Sequence, residues 1–588
     1  MTSTQAHYCE IDFPHPSQKG RLAGVYKDPE WILTASTLSE VPELLAKVEA
    51  YANSGYWVIG FVAYEGAGAF DNALQAHEAP PSGLPFAKFA VYQNVATIPR
   101  QRREHLSGVW RDETSRECFD ASVAQIKHNI SEGNYYQVNY TTRLQASFFG
   151  DGLSFFDRLK ASQPSAYSAY LDFGEWQICS VSPELFFHCG TYERVGRMLT
   201  CRPMKGTATR HTDPVNDLDA AQKLLKSPKE RAENLMIVDL IRNDLSRVAR
   251  PYTVEVPHLF SIEAWPTVWQ MTSTVTCRLA DSRGLQDVFR ALFPCGSVTG
   301  APKAAAMSAI KGLETSPRGV YCGAVGLVMP GGEALFSVGI RTAVINVEKA
   351  IAVCGIGSGI TIDSKGNEEY AEWFAKQAFL RQSCQDYELL ETLRLHQGRF
   401  WLLGGHMKRI ERSAIELGFS FDVKRVSEAL KKAVEQHNEG QWRVRLRLSA
   451  SGDVTTDVRP LDMLPPSPQI VMANSPVDSG NPWLRHKTTR REVYSTRAST
   501  QDGVFDTLLF NERDELTEFT RGNLVIELQG RLLTPAVMCG LLPGVFREVL
   551  IIRNRIQEEI VTADDLAQAT NIWFVNSVRG VVSVKLDS

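Results

Sequence analysis

Near residue 384 the sequence changes its organisation and starts afresh. Tyr387 to Leu395 alternates as a strand would, His396-Gln397-Gly398 makes a turn, and Phe400 to Leu403 is expected to pair back as a hairpin. A fresh start of this kind, in a chain of 588 residues, excludes a single hydrophobic core. The length corresponds to about four units of ordinary size. With 44% hydrophobic and 22% charged residues the chain reads as an ordinary soluble globular protein. A formal net charge of −4, with no cluster of Lys and Arg, excludes a large nucleic-acid footprint. No apolar stretch reaches the length of a membrane span. The first twenty residues lack a basic start followed by an apolar run, so no signal peptide is expected. Eleven scattered cysteines, without a CxxC pair or zinc spacing, read as reduced and mostly buried thiols of a cytoplasmic protein.

Residues 1 to about 115 form a mixed region. Glu43 to Ala52 reads as an amphipathic helix, Tyr56 to Tyr64 as a buried strand, and Pro80-Pro81-Ser82-Gly83 as a loop. Beyond Cys118, Ser122 to Ser131 reads as a helix and Tyr135 to Leu144 as an alternating strand. Gln177 to His188 reads as a strand. It is followed by Arg202-Pro203-Met204-Lys205-Gly206-Thr207, where proline fixes φ and glycine frees it on either side of one lysine. Lys205 is then either a surface ammonium on a turn or a nucleophile aimed into a cleft.

Glu230 to Val248 reads as a helix with an apolar stripe at Leu235, Ile237, Val238 and Ile241. Glu230 and Glu233 fall on one face of it, and Glu369 and Glu372 form a second such pair, with Lys376 one turn on. Each pair alone is compatible with a solvated helix face. Two pairs together offer the hard oxygen ligands that Mg²⁺ accepts beside an anionic substrate. Between the helices, Phe293 to Lys303 leads into a helix near Ala304, and Cys354 to Ile360 reads as a second glycine-rich turn. Such turns let backbone N–H groups approach an anion, or merely connect elements; neither fits a nucleotide-binding spacing. Arg341, alone in an apolar strand from Phe336 to Ile345, needs a partner if buried, and a substrate carboxylate is a good one.

After residue 384, Gly404 to Gly418 reads as a helix carrying Arg409, and Trp442 to Ala450 as a strand of alternating arginines. Leu464 to Pro468 connects two subdomains, of which the second holds an isolated Lys487, an acidic turn at Thr517-Glu518, and Leu541 to Gly544 opening a helix. Arg485, His486, Arg490 and Arg491 flank Lys487 and would depress its pKa, unless the segment is a basic surface loop.

From about 118 to 381 the chain resembles the chorismate-utilising enzymes. The carriers of that likeness are EGNYYQVNYTTR, SPELFF, RPMKGT, ERAENLMIVDLIRNDLSRV, FPCGSVTGAPK and GSGI followed by EEYAE and Lys376. From about 386 to 588 it resembles the class IV pyridoxal-phosphate enzymes, through ETLRL, GGHMKRIERSAIELGF, Lys487, FNERDELTEFTRGNLV and CGLLPGVFREVL. The resemblance implies an α+β multidomain protein. Residues 1–115 and 116–383 would form a chorismate-enzyme β-sandwich with outer helices, and 384–588 a class IV fold of two subdomains, about 384–464 and 469–588.

The pairing of families implies two successive steps, aminodeoxychorismate synthesis and lysis to 4-aminobenzoate for folate. Lys205 matches the lysine that distinguishes aminodeoxychorismate synthases from anthranilate synthases, and would attack C2 of Mg²⁺-bound chorismate before ammonia enters at C4. Glu184 matches the acid for the leaving hydroxyl. Glu233 and Glu372 match the Mg²⁺ ligands, with Glu230 and Glu369 in support. Thr299, Arg341, Gly357, Ser358, Gly359 and Lys376 would hold the carboxylates. Gln270 stands where many relatives carry histidine, so no mechanism that uses that histidine as a proton carrier transfers directly. In the second domain Lys487 would bond pyridoxal phosphate covalently and take the C4 proton of the substrate. Glu518 would keep the pyridine nitrogen protonated, and Arg409 with the Gly544-Val545-Phe546 turn would hold the phosphate. Asn576 and Ser577 lie in a family segment near the site without an assigned role. No cysteine sits in a GxCxG-type elbow, which implies a separate glutamine amidotransferase subunit or free ammonia, and class IV relatives imply a homodimer. The alternatives are anthranilate or isochorismate synthesis joined to transamination, or a domain retained only for ligand binding or regulation.

Overall fold

Trp57–Val62 is buried almost throughout, and its alternate residues serve two different cores. Ile59 and Phe61 pack with Ile11, Phe13, Leu171 and Leu327 between two sheets. Val58 and Val62 pack on the other side with Leu44, Val48, Phe289 and Phe336, under a layer of helices. This two-sided burial explains the unbroken apolar run and defines a β-sandwich with helices outside one sheet.

The computed structural model describes residues 7–16, 20–81, 83–96, 103–164, 166–193, 195–265, 268–383 and 386–587. Ser82 of the expected 80–83 loop, the start of the N-terminal stretch and the restart at 384–385 lie outside the described residues. Two compact units emerge: Met1–Arg100 with Arg111–Gln145 and Phe155–Cys384, and Gln101–Trp110 with Ala146–Ser154 and Gln385–Ser588. Among the described residues no helix is long and apolar enough to cross a membrane.

In the first unit one sheet runs in the order Gly300–Ala301, Gln137–Gly150, Ile351–Ile360, Thr342–Asn346, Trp176–Ser182, Tyr167–Asp172, Tyr8–Pro14, Arg21–Lys27. The other runs Met204–Thr209, Val268–Arg278, Gly196–Arg202, Leu185–Tyr192, Ala334–Val338, Ala324–Val328, Trp57–Val62, Ala87–Tyr92, Trp31–Ala35. Several expectations change here. The strand expected over Gln177–His188 is two strands, Trp176–Ser182 and Leu185–Tyr192, one in each sheet. Pro183 cannot donate to a ladder, and the chain changes sheets there. Residues 137–144 are buried on both faces instead of alternating. The stretch expected as a second glycine-rich turn is itself the strand Ile351–Ile360. Arg341 sits between strands, at φ 52, rather than within one.

The helix Pro228–Ser246 starts as its sequence dictates, with Ser227 accepting the N–H of Glu230 and Pro228 in the first turn. Ile237, Val238 and Ile241 are buried, but Leu235 of the expected stripe is 43% exposed.

In the second unit Leu389–His396, Gln441–Leu448 and Val454–Pro460 form an antiparallel sheet. It is covered by Leu403–Leu417 and Val423–Gln436 through Ile410, Leu417, Val426 and Leu430. Of the return strand expected over Phe400 to Leu403 only Phe400 pairs back, together with Arg399 before it, because the chain turns at Leu402, φ 55, into the helix. The helix ends at Gly418 with φ 73, where an L side chain would be strained. A second sheet, from Gln469–Met472 through Leu516–Phe519 to Arg531–Pro535, carries its own core of Leu508, Phe519, Ile526 and Phe574. Leu106 is buried in the core with Leu389, Leu393 and Trp483, which ties the 101–110 segment to this unit and not to the one its sequence position suggests.

Candidate active sites

Lys205 lies in the edge strand Met204–Thr209 rather than on a free turn. The strand pairs Met204 with Thr272 and Thr207 with Gln270, and the register shifts between those pairs. Lys205 and Gly206 therefore form a bulge, with Gly206 at φ 90, a conformation that favours glycine. A Cβ at 206 would stand 2.9 Å from Glu230 Oε2, so the bulge and the glutamate-bearing helix fit closely. Gln270 fastens the bulge: its Nε2 donates to the Gly206 carbonyl at 2.8 Å, and its Oε1 accepts from the Thr207 hydroxyl at 3.0 Å.

The lysine reaches across to the first sheet. A Cβ at Gly359 would come 3.0 Å from Lys205 Nζ and 2.4 Å from Gln137 Nε2, so only glycine leaves room there. Gln137 is fully buried, and neither end of its amide has a hydrogen-bond partner among the described residues. Sequence reasoning missed this residue, because the burial of its strand on both faces is decided by the sheets around it and not by any local pattern. Glu184, next to the proline where the chain changes sheets, is buried and its Oε1 has no hydrogen-bond partner among the described residues. Burial pushes its carboxyl up to about 7, against the opposing pull of the Ser297 hydroxyl and the Lys205 ammonium. Such a carboxyl can hold a proton near neutral pH and give it up.

The two glutamate pairs share one electrostatic environment. Burial raises Glu233, Lys205 and Lys229 oppose that rise, and Glu369 and Glu372 add to it. Burial also raises Glu230, with Glu233 as the next cause. Glu372 ends below its ordinary range: burial pushes it up, but Lys376, 2.7 Å away, together with Lys205 and Lys229, outweighs that. Glu369 accepts the Ser364 hydroxyl on one oxygen at 2.8 Å and leaves Oε2 buried without a partner among the described residues. No three of these four carboxylates bring ligand atoms within 4.8 Å of one another.

The expected anion-holding groups divide. Ser358 accepts the Trp373 indole N–H at 3.2 Å, and Lys376 donates to the Gly357 carbonyl at 2.8 Å, so both anchor the helix Gly366–Lys376 to the strand. Thr299 is buried and its hydroxyl donates to the carbonyls of Cys295 and Gly296. Arg341 lies over the Phe379 ring at 5.2 Å, and among the described residues no carboxylate is within ion-pair distance of it. Arg341, Met204, Thr207 and Gln270 line one cleft.

A second site fills a cavity of about 320 Å³ in the other unit. Lys487 and Glu518 both line it. Glu518 lies in the strand Leu516–Phe519, not in a turn, and accepts the Tyr494 hydroxyl and the Leu542 N–H at 2.9 Å each. Burial raises its carboxyl to about 7. Burial also lowers Lys487 to about 7, helped by Arg491 and Arg409; of the four flanking residues expected to act, only Arg491 is among the causes. Arg409 is buried and paired with Glu391 at 2.6 and 2.7 Å, and Glu391 also meets His406 at 2.6 Å. That counter-ion was not read from the sequence. Gly544 precedes the helix Val545–Ile552, and a Cβ there would collide with Asn523 Oδ1. Arg409, Arg443, Arg445, Arg491, Arg521 and Arg579 all line the cavity, as do Asn576 and Ser577.

The family model of the chorismate binding enzymes matches residues 98–382, and that of the class IV amino-transferases matches residues 388–586. Aminodeoxychorismate synthase component 1 of Salmonella typhimurium is 41% identical over 278 residues, 47% of this chain and 60% of that protein. Its counterpart in Klebsiella aerogenes is 40% identical over 292 residues, 50% of this chain and 63% of that protein. The chain thus spans less than two thirds of the length of these relatives. Anthranilate synthase component 1 of Streptomyces coelicolor is 32% identical over 369 residues, 54% of this chain and 71% of that protein. Among solved structures, anthranilate synthase component I from Streptococcus pneumoniae matches with a TM-score of 0.50 at 24% identity. That match covers 64% of this chain and 93% of the other. MenF, the menaquinone-specific isochorismate synthase from Escherichia coli, matches with a TM-score of 0.52 at 17% identity, over 64% of this chain and 89% of the other. These two likenesses concern the fold alone.

Proposed function

The chain belongs to the chorismate binding enzyme family, and from that premise we infer that its first unit makes 4-amino-4-deoxychorismate from chorismate and ammonia. The second unit, matched by the class IV amino-transferase model, then removes pyruvate to give 4-aminobenzoate for folate. The observation that carries the reading is the placement of Lys205: its amine is aimed at Gly359 from a fastened bulge, within the field of a Glu184 that titrates near 7.

In this reading Lys205 forms a bond to C2 of chorismate, the ring double bonds shift, and the C4–O bond breaks. Glu184 supplies the proton with which the hydroxyl leaves as water. Ammonia next bonds to C4, the double bonds shift back, and the C2–N bond to Lys205 breaks. The proton shed by the new amine returns to Glu184. The sum is chorismate plus ammonia to aminodeoxychorismate plus water. Gln137, with both amide ends unpaired, offers a donor and an acceptor to the ring substituents beside Lys205.

The donors at the glutamate site suit a hard dication, and the orphaned Oε2 of Glu369 is a group such an ion would satisfy. Glu233 and Glu372, supported by Glu230 and Glu369, would hold Mg²⁺, whose charge offsets the ring carboxylate against these acids. In the second cavity Lys487, Glu518, Arg409 and the N-terminus of Val545–Ile552 would hold pyridoxal phosphate, which supplies an electron sink. Lys487 then takes the proton from C4 of the substrate and returns it to the leaving enolpyruvate as the C3–O bond breaks and the ring becomes aromatic. The arginine-lined wall suits the two substrate carboxylates. Ammonia comes from a separate glutamine amidotransferase subunit, and the class IV unit pairs with a second copy.

Incubation with chorismate, Mg²⁺ and an ammonium salt, with and without pyridoxal phosphate, tests both steps. The expected products are aminodeoxychorismate without the cofactor and 4-aminobenzoate with it. Accumulation of anthranilate or isochorismate would overturn the assignment of the first unit. Aminodeoxychorismate that persists in the presence of cofactor would overturn that of the second.

A further inference from the structure

His15, His188 and Glu333 come together in the first unit, and none of them belongs to either site above. Their ligand atoms all lie within 4.8 Å of one another. Both imidazoles turn the same nitrogen toward one carboxylate oxygen: His188 Nε2 is 2.7 Å and His15 Nε2 3.3 Å from Glu333 Oε1. The three arrive from separate elements. His15 follows the strand Tyr8–Pro14 in one sheet, and His188 lies in Leu185–Tyr192 of the other. Glu333 ends the turn between Ala324–Val328 and Ala334–Val338.

Each is held in place by its backbone. His188 is 1% exposed and is paired across its ladders with Thr200 and Leu335. Glu333 is set by a turn with Gly331 and Gly332 both at φ 89, closed by the Met329 N–H on the Glu333 carbonyl at 2.8 Å. Beside them is space that only glycine leaves. A Cβ at Gly190 would stand 2.9 Å from His188 Cε1, 3.1 Å from its Nε2 and 3.4 Å from Glu333 Oε1.

We propose that His15, His188 and Glu333 bind a zinc-class divalent cation that staples the two sheets of the first unit together. Two imidazole nitrogens and one carboxylate oxygen form the donor set that Zn²⁺ accepts, at about 2.0–2.2 Å per bond. Donors at such lengths around a tetrahedral ion stand roughly 3.3–3.5 Å apart. The 3.3 Å spacing of His15 Nε2 from Glu333 Oε1 already matches this, and the 2.7 Å spacing of His188 Nε2 requires Glu333, whose side chain is 32% exposed, to move outward. A water would complete the fourth position. Mg²⁺ is disfavoured, since it prefers an all-oxygen octahedron, so the ion differs in chemistry from the one suited to the four glutamates. The bland alternative is that both imidazoles merely donate to Glu333.

Co²⁺ titration of the full chain, with excess Mg²⁺ present to occupy the glutamates, separates these. The expected result is one equivalent of Co²⁺ with a low-coordinate ligand-field spectrum, displaced by Zn²⁺ but not by more Mg²⁺, and a rise in the unfolding temperature of the first unit. His15→Gln and Glu333→Gln should each weaken binding by at least about 10-fold. Both residues are nearer the surface than His188, so these variants fold even if His188→Gln does not. Absence of a stoichiometric Co²⁺ spectrum, or a spectrum unchanged in both variants, would overturn the proposal. None of these readouts uses either enzymatic activity.

Discussion

Lys205→Ala, assayed with ammonia and Mg²⁺, should lose aminodeoxychorismate formation by roughly 10²–10⁴-fold while chorismate binding largely survives. Product analysis and a binding titration check the two halves of that statement; full retained synthase activity refutes the nucleophile. A variant that instead makes anthranilate identifies Lys205 as the residue that selects the product. Glu184 has its own signature. Its carboxyl sits near 7, well above the ordinary carboxylate range, so the proton-donating form is full below about pH 6 and lost as pH rises through 7. The alkaline fall of synthase turnover that belongs to this acid should therefore centre near 7 and vanish in Glu184→Gln. In the other cavity, Arg491 is the largest charged cause of the lowered Lys487. Arg491→Met should raise the lysine toward its ordinary value and shift the pH of half-maximal pyridoxal phosphate uptake upward, as read by visible absorbance. Lys205, Glu184, Lys487 and Glu518 could be singled out in the sequence because each lies in a recognisable motif; the roles proposed for them await the assays above. Gln137 was not, because its unpaired amide is a fact about neighbours far along the chain.

Elements decide how these side chains are presented. Gly206 combines a φ of 90 with a Cβ direction that points at Glu230. Gly206→Ala should cost about 1–2 kcal/mol for the left-handed backbone alone. It should lower synthase turnover further by displacing Glu230, measured as a fall in unfolding temperature together with kcat. Unchanged values in both would show that the bulge is not held as described. Helices were the most legible elements: the end at Gly418 and the stripe at Ile237, Val238 and Ile241 are short-range signals, although the cap at Ser227 was not read and the helix was expected to begin at Glu230. The strands were less so. A continuous apolar run hides whether a strand has one buried face or two, and nothing local marked Pro183 as a change of sheet.

At the scale of the molecule, the second unit is not one continuous stretch. It includes 101–110 and 146–154, and Leu106 is buried with Leu389, Leu393 and Trp483. The Tyr387 hydroxyl donates to the Ser107 carbonyl at 3.2 Å, and the Val109 N–H to that of Leu417 at 2.8 Å. A fragment spanning 386–587 should thus unfold well below the matching transition of the whole chain, since loss of a buried leucine alone costs about 2–5 kcal/mol. Calorimetry of the two decides it, and coincident transitions would mean the N-terminal excursions add little.

By itself the sequence indicated the order of its motifs and several helices, among them those over 230–248 and 404–418, while Gly152–Ser162, Leu285–Leu292 and Val423–Gln436 were not read from it. The helices that were read follow from a period of 3.6 residues and from turns that act over a few positions, and the class of protein follows from the resemblance of its motifs to known families. Only the tertiary structure decided that the 205–206 bulge faces Gly359 from the opposite sheet, that Glu391 balances Arg409, and that Glu184, Glu518 and Lys487 all titrate near 7. Desolvation and charge pairing depend on groups brought together from distant parts of the chain, and no local pattern encodes who those neighbours will be.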